Sequence, residues 1–410
     1  MKLGFYIILA AQFFSALADN ALLFAAIALL MQMDAPSWQQ PVLNQFFVFS
    51  YIALAPFVGP FADSLPKGTV MFISNAVKSA GCLAMLIGVH PFYAYGVVGI
   101  GAAMYSPAKY GILTEYLPPH KLVLANGWME GLTVAAIILG AILGSFLVNP
   151  QIANYYLGLF DIPGFESGIN TPPEFTISVV LGLYVVAAAF NLYIPKVAFD
   201  HKLPKKNPFY ILQNFWDCFR LLWRDPLGQV SLAVTTLFWG VGVALRLIIL
   251  AWAAAALKFD LERATRLTAV FAVGIAVGAV IAAKYVKLEK SVRVLPVGIA
   301  MGIAVIFTTY IANVYLALAM LVLIGAMSGL FVVPMNALLQ HRGHLLMGAG
   351  HSIAVQNFNE NLSILAMLGV YALLSKLGFS IFTVMVIFGL FICGTMTYLY
   401  RRHARDMVET

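Results

Sequence analysis

The chain alternates long apolar runs with short polar connections along almost its whole length. A helix that crosses a bilayer needs about 20 mostly apolar residues. Runs of that size occur near 4–32, 42–62, 69–89, 92–114, 124–148, 175–194, 228–256, 265–284, 292–312, 314–338, 350–374 and 378–400. Charged residues make up only 10% of the chain, whereas a soluble domain has roughly a quarter. The sequence therefore predicts an all-α integral membrane protein with twelve transmembrane helices and argues against a soluble enzyme.

Lysine and arginine are distributed unequally between the loops on the two sides of these predicted spans. One set of loops contains Lys2, Lys67, Lys121, Lys196, Lys202, Lys205, Lys206, Arg220, Arg224, Lys284, Lys287, Lys290, Arg293, Arg342, Arg401, Arg402 and Arg405. The opposite set contains Lys258, Arg263, Arg266 and Lys376. Because basic residues favour the cytoplasmic side of a membrane, we expect both termini in the cytoplasm. The net charge of +7 follows this topology, so it does not predict a nucleic-acid partner.

The longest predicted cytoplasmic segment divides the spans into two groups of six. We expect an N-terminal bundle over 1–194, a linker over 195–227 and a C-terminal bundle over 228–410. Aligning Pro107 with Pro334 also places Asp19 on Arg246, which supports two pseudosymmetric bundles. The outer segment 149–174 contains acidic residues but neither lysine nor arginine.

Within the linker, large apolar residues recur at helical spacing: Leu212, Phe215, Trp216, Phe219 and Trp223. This spacing predicts an amphipathic helix that lies in the membrane interface. A linker helix packed against the bundle is the alternative interpretation.

A conformational latch is predicted where the second span meets the third. Gly59, Asp63 and Lys67 resemble the loop pattern of the major facilitator family, in which an aspartate and a basic residue hold helix ends together. The equivalent loop at 284–293 keeps only basic character, so a second latch is not expected there.

Ionisable residues inside the predicted spans are the candidate substrate ligands, because a charge at bilayer depth costs about 2.5–3.5 kcal/mol on insertion scales. Asp19, with Asn20 beside it, lies in the first span, and Arg246 lies in the seventh. If the halves are pseudosymmetric, the two charges face each other across a cavity. A structural ion pair is the alternative.

Other polar residues extend this list. Lys109 and Glu115 lie in the fourth span, and Asn126 and Glu130 lie in the fifth, where they are cavity-wall or structural candidates. Lys78 is assigned no role. In the eleventh span Ser352, Gln356, Asn359 and Ser363 recur at helical spacing and predict either a wet face or interhelical hydrogen bonds. Together, buried cations, carboxylates and apolar walls suit an anionic or zwitterionic amphiphile.

Several stretches resemble the bacterial lysophospholipid transporter family over essentially the whole chain. They are AQFFSALADNALLF at 11–24, YSPAKYGIL at 105–113, FWGVGVALR at 238–246, VVPMNALLQ at 332–340 with Asn336 and Gln340, and VQN at 355–357 with Glu360. The resemblance implies substrate-binding charges at Asp19, Lys109, Glu115 and Arg246. Gln356, Asn357 and Glu360 join them as candidate ligands.

The resemblance also implies a function. We expect lysophosphatidylethanolamine or lysophosphatidylglycerol to move inward across a Gram-negative inner membrane by alternating access, with lateral access between the bundles. A separate acyltransferase/acyl-carrier-protein synthetase would then reacylate the lysolipid. We expect a monomer without a cofactor. Because Cys82, Cys218 and Cys393 form no CxxC or Cys/His cluster, we also expect no metal site or disulfide framework.

Two other functions remain open at this stage. A proton-coupled carrier of a soluble solute or drug would use Asp19 or Glu130 as its proton site. A membrane-bound lipid enzyme would need an activated nucleophile or a general base, and the histidines show no HxxxxD spacing.

Overall fold

The computed structural model describes residues 3–36, 38–159, 169–197 and 207–403. Every regular element among these residues is helical. The α-helices are α1 (Leu3–Gln32), α2 (Gln39–Ser64), α3 (Lys67–Leu86), α4 (Pro91–Tyr116), α5 (Leu122–Leu147), α6 (Pro150–Leu159), α7 (Pro172–Leu192), α8 (Pro208–Arg224), α9 (Pro226–Ala256), α10 (Leu261–Tyr285), α11 (Leu295–Thr308), α12 (Val314–Met347), α13 (Ala349–Lys376) and α14 (Ile381–His403). Short 3-10 helices at Pro119–Lys121 and Leu288–Val294 precede α5 and α11.

The helices agree with the spans predicted from the apolar runs. Eleven helical segments of the described residues are long and apolar enough to cross a membrane. Helix α4, with 26 residues, is also long enough to cross and matches the predicted span at 92–114. The prediction of an all-α membrane fold is thus confirmed. Of the loop residues used to predict topology, Lys2, Lys202, Lys205, Lys206 and Arg405 lie outside the described residues.

Two helical features were not predicted. The predicted span ends at 338, where the apolar run ends. Helix α12 continues through the polar residues that follow, as far as Met347. Gly348 then adopts a φ of 95° and separates α12 from α13, a conformation that glycine adopts without steric cost. Helix α6 occupies the first part of the 149–174 segment, where Tyr156 stacks on Phe175 of α7 with ring centroids 5.9 Å apart.

Short polar side chains explain where several helices begin. Asp225 caps α9 by accepting a hydrogen bond from the Gly228 amide at 2.7 Å, and Asp260 caps α10 in the same way. Asn313 caps α12. Such caps satisfy amide groups that have no partner within the helix.

The chain divides into two compact units. The first comprises Met1–Glu115 and Ala135–Leu212, and the second comprises Tyr116–Val134 and Gln213–Thr410. In the first unit α7 packs against α1 and α3; in the second, α10 packs against α12, α9 against α13 and α11 against α14. The first half of α5 therefore belongs with the second unit.

Helix α8 lies within the predicted linker and packs on α13. Its buried side chains are Phe215, Cys218 and Leu222, and Phe215 contacts Phe358 with ring centroids 5.5 Å apart. Four other apolar residues of the helix are exposed: Phe209, Leu212, Trp216 and Leu221. The linker helix thus combines a packed face with exposed apolar side chains of the kind that suit a membrane interface.

Small residues let α10 and α12 approach each other closely. Gly274 and Gly278 on α10 meet Gly325 and Gly329 on α12, and each glycine faces backbone atoms of the other helix. A Cβ on Gly278 would overlap the carbonyl oxygen of Ala326. Close backbone approach at residues spaced four apart is a common way to pack helices in membranes.

We therefore predict that Gly278→Ala lowers stability by about 1–3 kcal/mol, the usual cost of overpacking. Gly242→Ala is the matched control, because a Cβ at Gly242 meets nothing within 4 Å and alanine favours the helix. Thermal unfolding in detergent measures both. Equal melting temperatures for the two variants would show that the α10–α12 approach does not require glycine.

Candidate functional site

A buried charge cluster occupies the middle of the first unit. The Lys78 Nζ of α3 lies 2.8 Å from Asp19 Oδ2 of α1 and donates to Ser15 Oγ at 3.1 Å. The Tyr184 hydroxyl of α7 donates to the other carboxylate oxygen, Asp19 Oδ1, at 2.7 Å. The Lys78 side chain is 1% exposed and that of Asp19 is 21% exposed. Lys78 and Tyr184 therefore compensate the negative charge of the carboxylate, while part of the Asp19 side chain stays exposed.

Helical spacing and one glycine assemble this cluster. Ser15 and Asp19 share a face of α1, and the Ser15 hydroxyl donates to Asn75 Oδ1 of α3 at 2.8 Å. A Cβ on Gly101 of α4 would lie 2.7 Å from Lys78 Cγ, so glycine makes room for the lysine stem. One turn later, the Tyr105 ring lies 4.8 Å from Lys78 Nζ and supplies a cation–π contact. Lys78 is thus the residue of this site that sequence reasoning missed.

Two neighbouring candidates contact residues of their own helices. The Asn20 amide donates to the carbonyl of Ala16 on its own helix at 2.8 Å. Lys109 is half-buried on α4, with its Nζ 4.5 Å from the centre of the Tyr110 ring.

Arg246 of α9, in the second unit, is exposed, although Leu245 and Ile248 beside it are buried. It makes no ion pair with an acidic side chain among the described residues of its own unit. The predicted pairing of Asp19 with Arg246 stays a prediction.

The predicted latch residues form an ion-pair network at the ends of α2, α3 and α4. Lys67 Nζ lies 2.7 Å from Asp63 Oδ1 and 3.0 Å from Glu115 Oε1, and it donates to the Ala62 carbonyl at 2.7 Å. Glu115 had been assigned to substrate binding from the family resemblance. Its contact with Lys67 favours a latch role instead.

A second ion pair joins helix ends in the second unit. Arg342 of α12 donates from Nε to Asp225 Oδ2 at 3.1 Å and also contacts Oδ1 through Nη2. The alignment of Pro107 with Pro334 places Glu115 on Arg342, so aligned positions carry opposite charges. This pair lies outside the 284–293 loop, which is the loop equivalent to the predicted latch of the first half.

Burial alone would raise the pKa of Asp225, but hydrogen bonds from Arg342 and the Gly228 amide outweigh it and hold the pKa below its usual value. The ionised form is therefore the one that the folded protein stabilises.

A chain of buried amides and carboxylates crosses the second unit. Asn126 of α5 and Gln340 of α12 exchange hydrogen bonds at 2.9 and 2.8 Å. One turn away, the Asn336 amide donates to Glu130 Oε1 at 3.4 Å. The Gln356 amide of α13 donates to Asn336 Oδ1 at 2.9 Å and to Glu360 Oε1 at 2.7 Å. Residues that the sequence singled out on three separate spans thus form two hydrogen-bonded groups, one turn apart.

The polar face predicted for the eleventh span packs against neighbouring helices. Ser352, Gln356 and Asn359 are buried, and Asn359 accepts a hydrogen bond from the Trp223 indole at 3.3 Å. Asn357 is also buried, and its backbone carbonyl accepts from Asn361 at 2.8 Å. Interhelical hydrogen bonding therefore describes this face better than open water does.

The Asp19–Lys78 pair generates a stability prediction. Lys78→Met leaves the carboxylate without its cation, so we expect a loss of about 3–5 kcal/mol, the usual cost of breaking a buried pair. Adding Asp19→Asn should recover part of that loss, because no charge then remains unpaired. Thermal unfolding of the four proteins in the cycle measures the coupling, with Lys196→Met at an exposed position as control. Additive losses would refute the pairing.

The Asp225–Arg342 pair generates a pH prediction. Because the pKa of Asp225 is lowered by folding, its contribution to stability is present at neutral pH and is lost as the pH falls through the folded value. We expect Arg342→Gln to be less stable than the parent by about 1 kcal/mol at pH ~7. The difference should shrink below pH ~4, as the pH falls from the usual aspartate pKa towards the lower folded value. A difference that is independent of pH in thermal unfolding would contradict this assignment.

Comparisons with known proteins agree with this architecture. Residues 8–365 match the family model for the Major Facilitator Superfamily. The lysophospholipid transporter LplT of Yersinia enterocolitica is 44% identical over 376 residues, covering 92% of this chain and 88% of that protein. LplT of Yersinia pestis is also 44% identical, over 372 residues, covering 90% of this chain and 86% of the relative.

Solved structures share the fold at low sequence identity. The transporter FucP in its outward conformation superposes with a TM-score of 0.74 at 13% identity, covering 97% of this chain and 98% of that one. An outward-facing bacterial homologue of the iron transporter ferroportin gives a TM-score of 0.69 at 16% identity, covering 98% and 100%. With a family model that matches most of its length and relatives of high identity, the chain belongs to the Major Facilitator Superfamily.

Proposed function

We propose that this protein is a lysophospholipid transporter. It moves lysophosphatidylethanolamine and lysophosphatidylglycerol from the outer to the inner leaflet by alternating access, and the lipid reaches it laterally from the membrane. The observation that carries the proposal is the 44% identity to a lysophospholipid transporter over 92% of the chain. The chemistry of the buried polar groups supports it independently.

The proposal assigns a role to each candidate cation. Arg246 receives the lysolipid phosphate, because its guanidinium has no acidic partner in the described part of its unit and planar donors suit phosphate oxygens. Lys109 is a second phosphate ligand. The acyl chain stays against apolar helix faces, where it needs no polar partner.

Asp19 acts together with Lys78. Because the lysine holds one side of the carboxylate, the exposed edge of Asp19 presents an oriented acceptor to a headgroup donor. Asn20, Gln356 and Asn357 supply further hydrogen bonds in this proposal. An ion pair opened or reoriented by substrate is one way in which a buried charge contributes to transport.

The ion pairs at the helix ends fit the conformational cycle. Lys67 with Asp63 and Glu115, and Arg342 with Asp225, fasten helix ends within their own units. Each compact unit then keeps these internal contacts during the proposed cycle.

The cellular setting is also part of the proposal. We place the protein in the inner membrane of a Gram-negative bacterium with both termini in the cytoplasm, as the distribution of lysine and arginine favours. A separate acyltransferase/acyl-carrier-protein synthetase reacylates the delivered lysolipid. A monomer is sufficient for this activity.

The test is lysolipid movement in vesicles that contain the purified protein. Labelled lysophosphatidylethanolamine or lysophosphatidylglycerol is added outside, and the fraction that fatty-acid-free albumin no longer extracts is measured over time. We expect the wild type to move both lipids. Arg246→Ala should slow both about 10-fold or more, since a charge-assisted contact contributes about 1.5–3 kcal/mol.

Two controls sharpen this experiment. Arg246→Lys keeps the charge but loses the planar guanidinium, so we expect an intermediate rate. Arg293→Ala removes an exposed arginine of the same unit and should behave as the wild type. Lysolipid movement no faster than in protein-free vesicles, together with proton-driven uptake of a soluble compound, would replace this proposal with the soluble-solute carrier.

A further inference from the structure

Glu360, a buried carboxylate of the second unit, differs from four carboxylates of the protein that are paired with a cation. Asp19 is paired with Lys78, Asp63 and Glu115 with Lys67, and Asp225 with Arg342. Glu360 is 7% exposed and makes no ion pair with a basic side chain in the described part of the chain. The hydrogen bond that it accepts, at 2.7 Å, comes from a neutral donor, the Gln356 amide.

The position of Glu360 makes this exceptional. Counting from Ala349, it lies roughly 16 Å along α13 at 1.5 Å per residue, which is near the middle of the helix. A charged side chain at such a depth is costly and persists when it is paired, hydrated or functional. A neutral amide donor satisfies part of the carboxylate but leaves its negative charge uncompensated.

A second buried acceptor lies beside it. The Gln356 amide nitrogen donates both to Glu360 and to Asn336 Oδ1, at 2.7 and 2.9 Å. The carbonyl oxygen of the same amide, Oε1, is buried and has no hydrogen-bond partner among the residues that the structure describes. Gln356 itself is 5% exposed. An unpaired buried carbonyl costs about 1–3 kcal/mol, so a site of this kind lacks a donor.

What this pair of acceptors lacks is a group with positive charge and several N–H donors. A primary ammonium has three donors and no acceptor, so it satisfies a carboxylate and a carbonyl at once. The Asn336 amide extends the site by linking Gln356 to the carboxylate of Glu130, which adds negative potential. A proton would satisfy Glu360 but leave Gln356 Oε1 without a donor.

We infer that Glu360 and Gln356 form the binding site for the primary ammonium of a zwitterionic lysolipid headgroup. This inference rests on the proposed lysolipid transport and adds headgroup recognition to it. The ammonium is thereby assigned to Glu360 rather than to Asp19 or Glu115, since both of those carboxylates already contact a lysine. Glu360 is then the residue that favours the ethanolamine headgroup over glycerol.

The experiment compares two headgroups in the vesicle assay. Wild type and Glu360→Gln are given lysophosphatidylethanolamine and lysophosphatidylglycerol with the same acyl chain. We expect the ethanolamine-to-glycerol rate ratio to fall about 10-fold in the variant, as for loss of one charge-assisted hydrogen bond. Glu289→Gln, the same change at an exposed residue of the same unit, should keep the wild-type ratio.

The outcomes separate this inference from the proposed function. If the wild type moves neither lipid, lysolipid transport itself fails. If the wild type moves both lipids and Glu360→Gln slows both equally, Glu360 is structural or binds a small cation, and the inference is overturned. An unchanged ratio at wild-type rates also overturns it.

A substrate-side measurement covers the case in which Glu360→Gln does not fold, which thermal unfolding would reveal. N-acetylated lysophosphatidylethanolamine lacks the ammonium charge but keeps the phosphate and the chain. The wild type should move it about 10-fold more slowly than the parent lipid. Equal rates for the two compounds would overturn the inference without any variant.

Discussion

A charge inside a bilayer is tolerated when another group compensates it, and the Asp19–Lys78 pair shows how this fold meets that requirement. The lysine is almost fully buried, and the groups around it compensate its charge: a carboxylate, the Ser15 hydroxyl and two aromatic rings. Gly101 leaves the space that the lysine stem occupies. Because the pair joins α1 to α3, it fixes the position of Asp19 and thereby decides which part of that carboxylate stays exposed.

Close helix packing is the condition that allows such pairs to form. Membrane helices gain little from burying apolar side chains against each other, so contacts between small residues and interhelical hydrogen bonds carry much of the association. In the second unit, glycines such as Gly278 and Gly329 bring α10 and α12 together. Helices α12 and α13 are joined instead by a polar contact, the hydrogen bond from Gln356 to Asn336. The second unit thus combines close packing at glycines with interhelical hydrogen bonds.

The sequence predicted the helices well because apolar runs and bilayer thickness are local properties. Pairings were harder, since the periodicity of one helix does not show which residue of another helix lies opposite. The sequence gives no sign that Lys78 is the partner of Asp19. It also predicts Glu115 as a substrate ligand without showing that Glu115 contacts Lys67. The chain from Glu130 to Glu360 joins residues of three helices, so only the tertiary structure reveals it.

The two ion pairs at helix ends illustrate how duplicated halves diverge. The position occupied by Glu115 in one half is occupied by Arg342 in the other, and each residue has found a partner of opposite charge within its own unit. The partners lie at positions that do not correspond in the two halves: Lys67 begins α3, and Asp225 precedes α9. The two ion pairs are therefore not equivalent contacts. In both halves an ion pair holds the end of the fourth helix. This is the helix that contains the aligned prolines, Pro107 and Pro334. A proline interrupts the hydrogen bonding of its own helix, and an ion pair beyond it holds the segment that the proline would otherwise loosen.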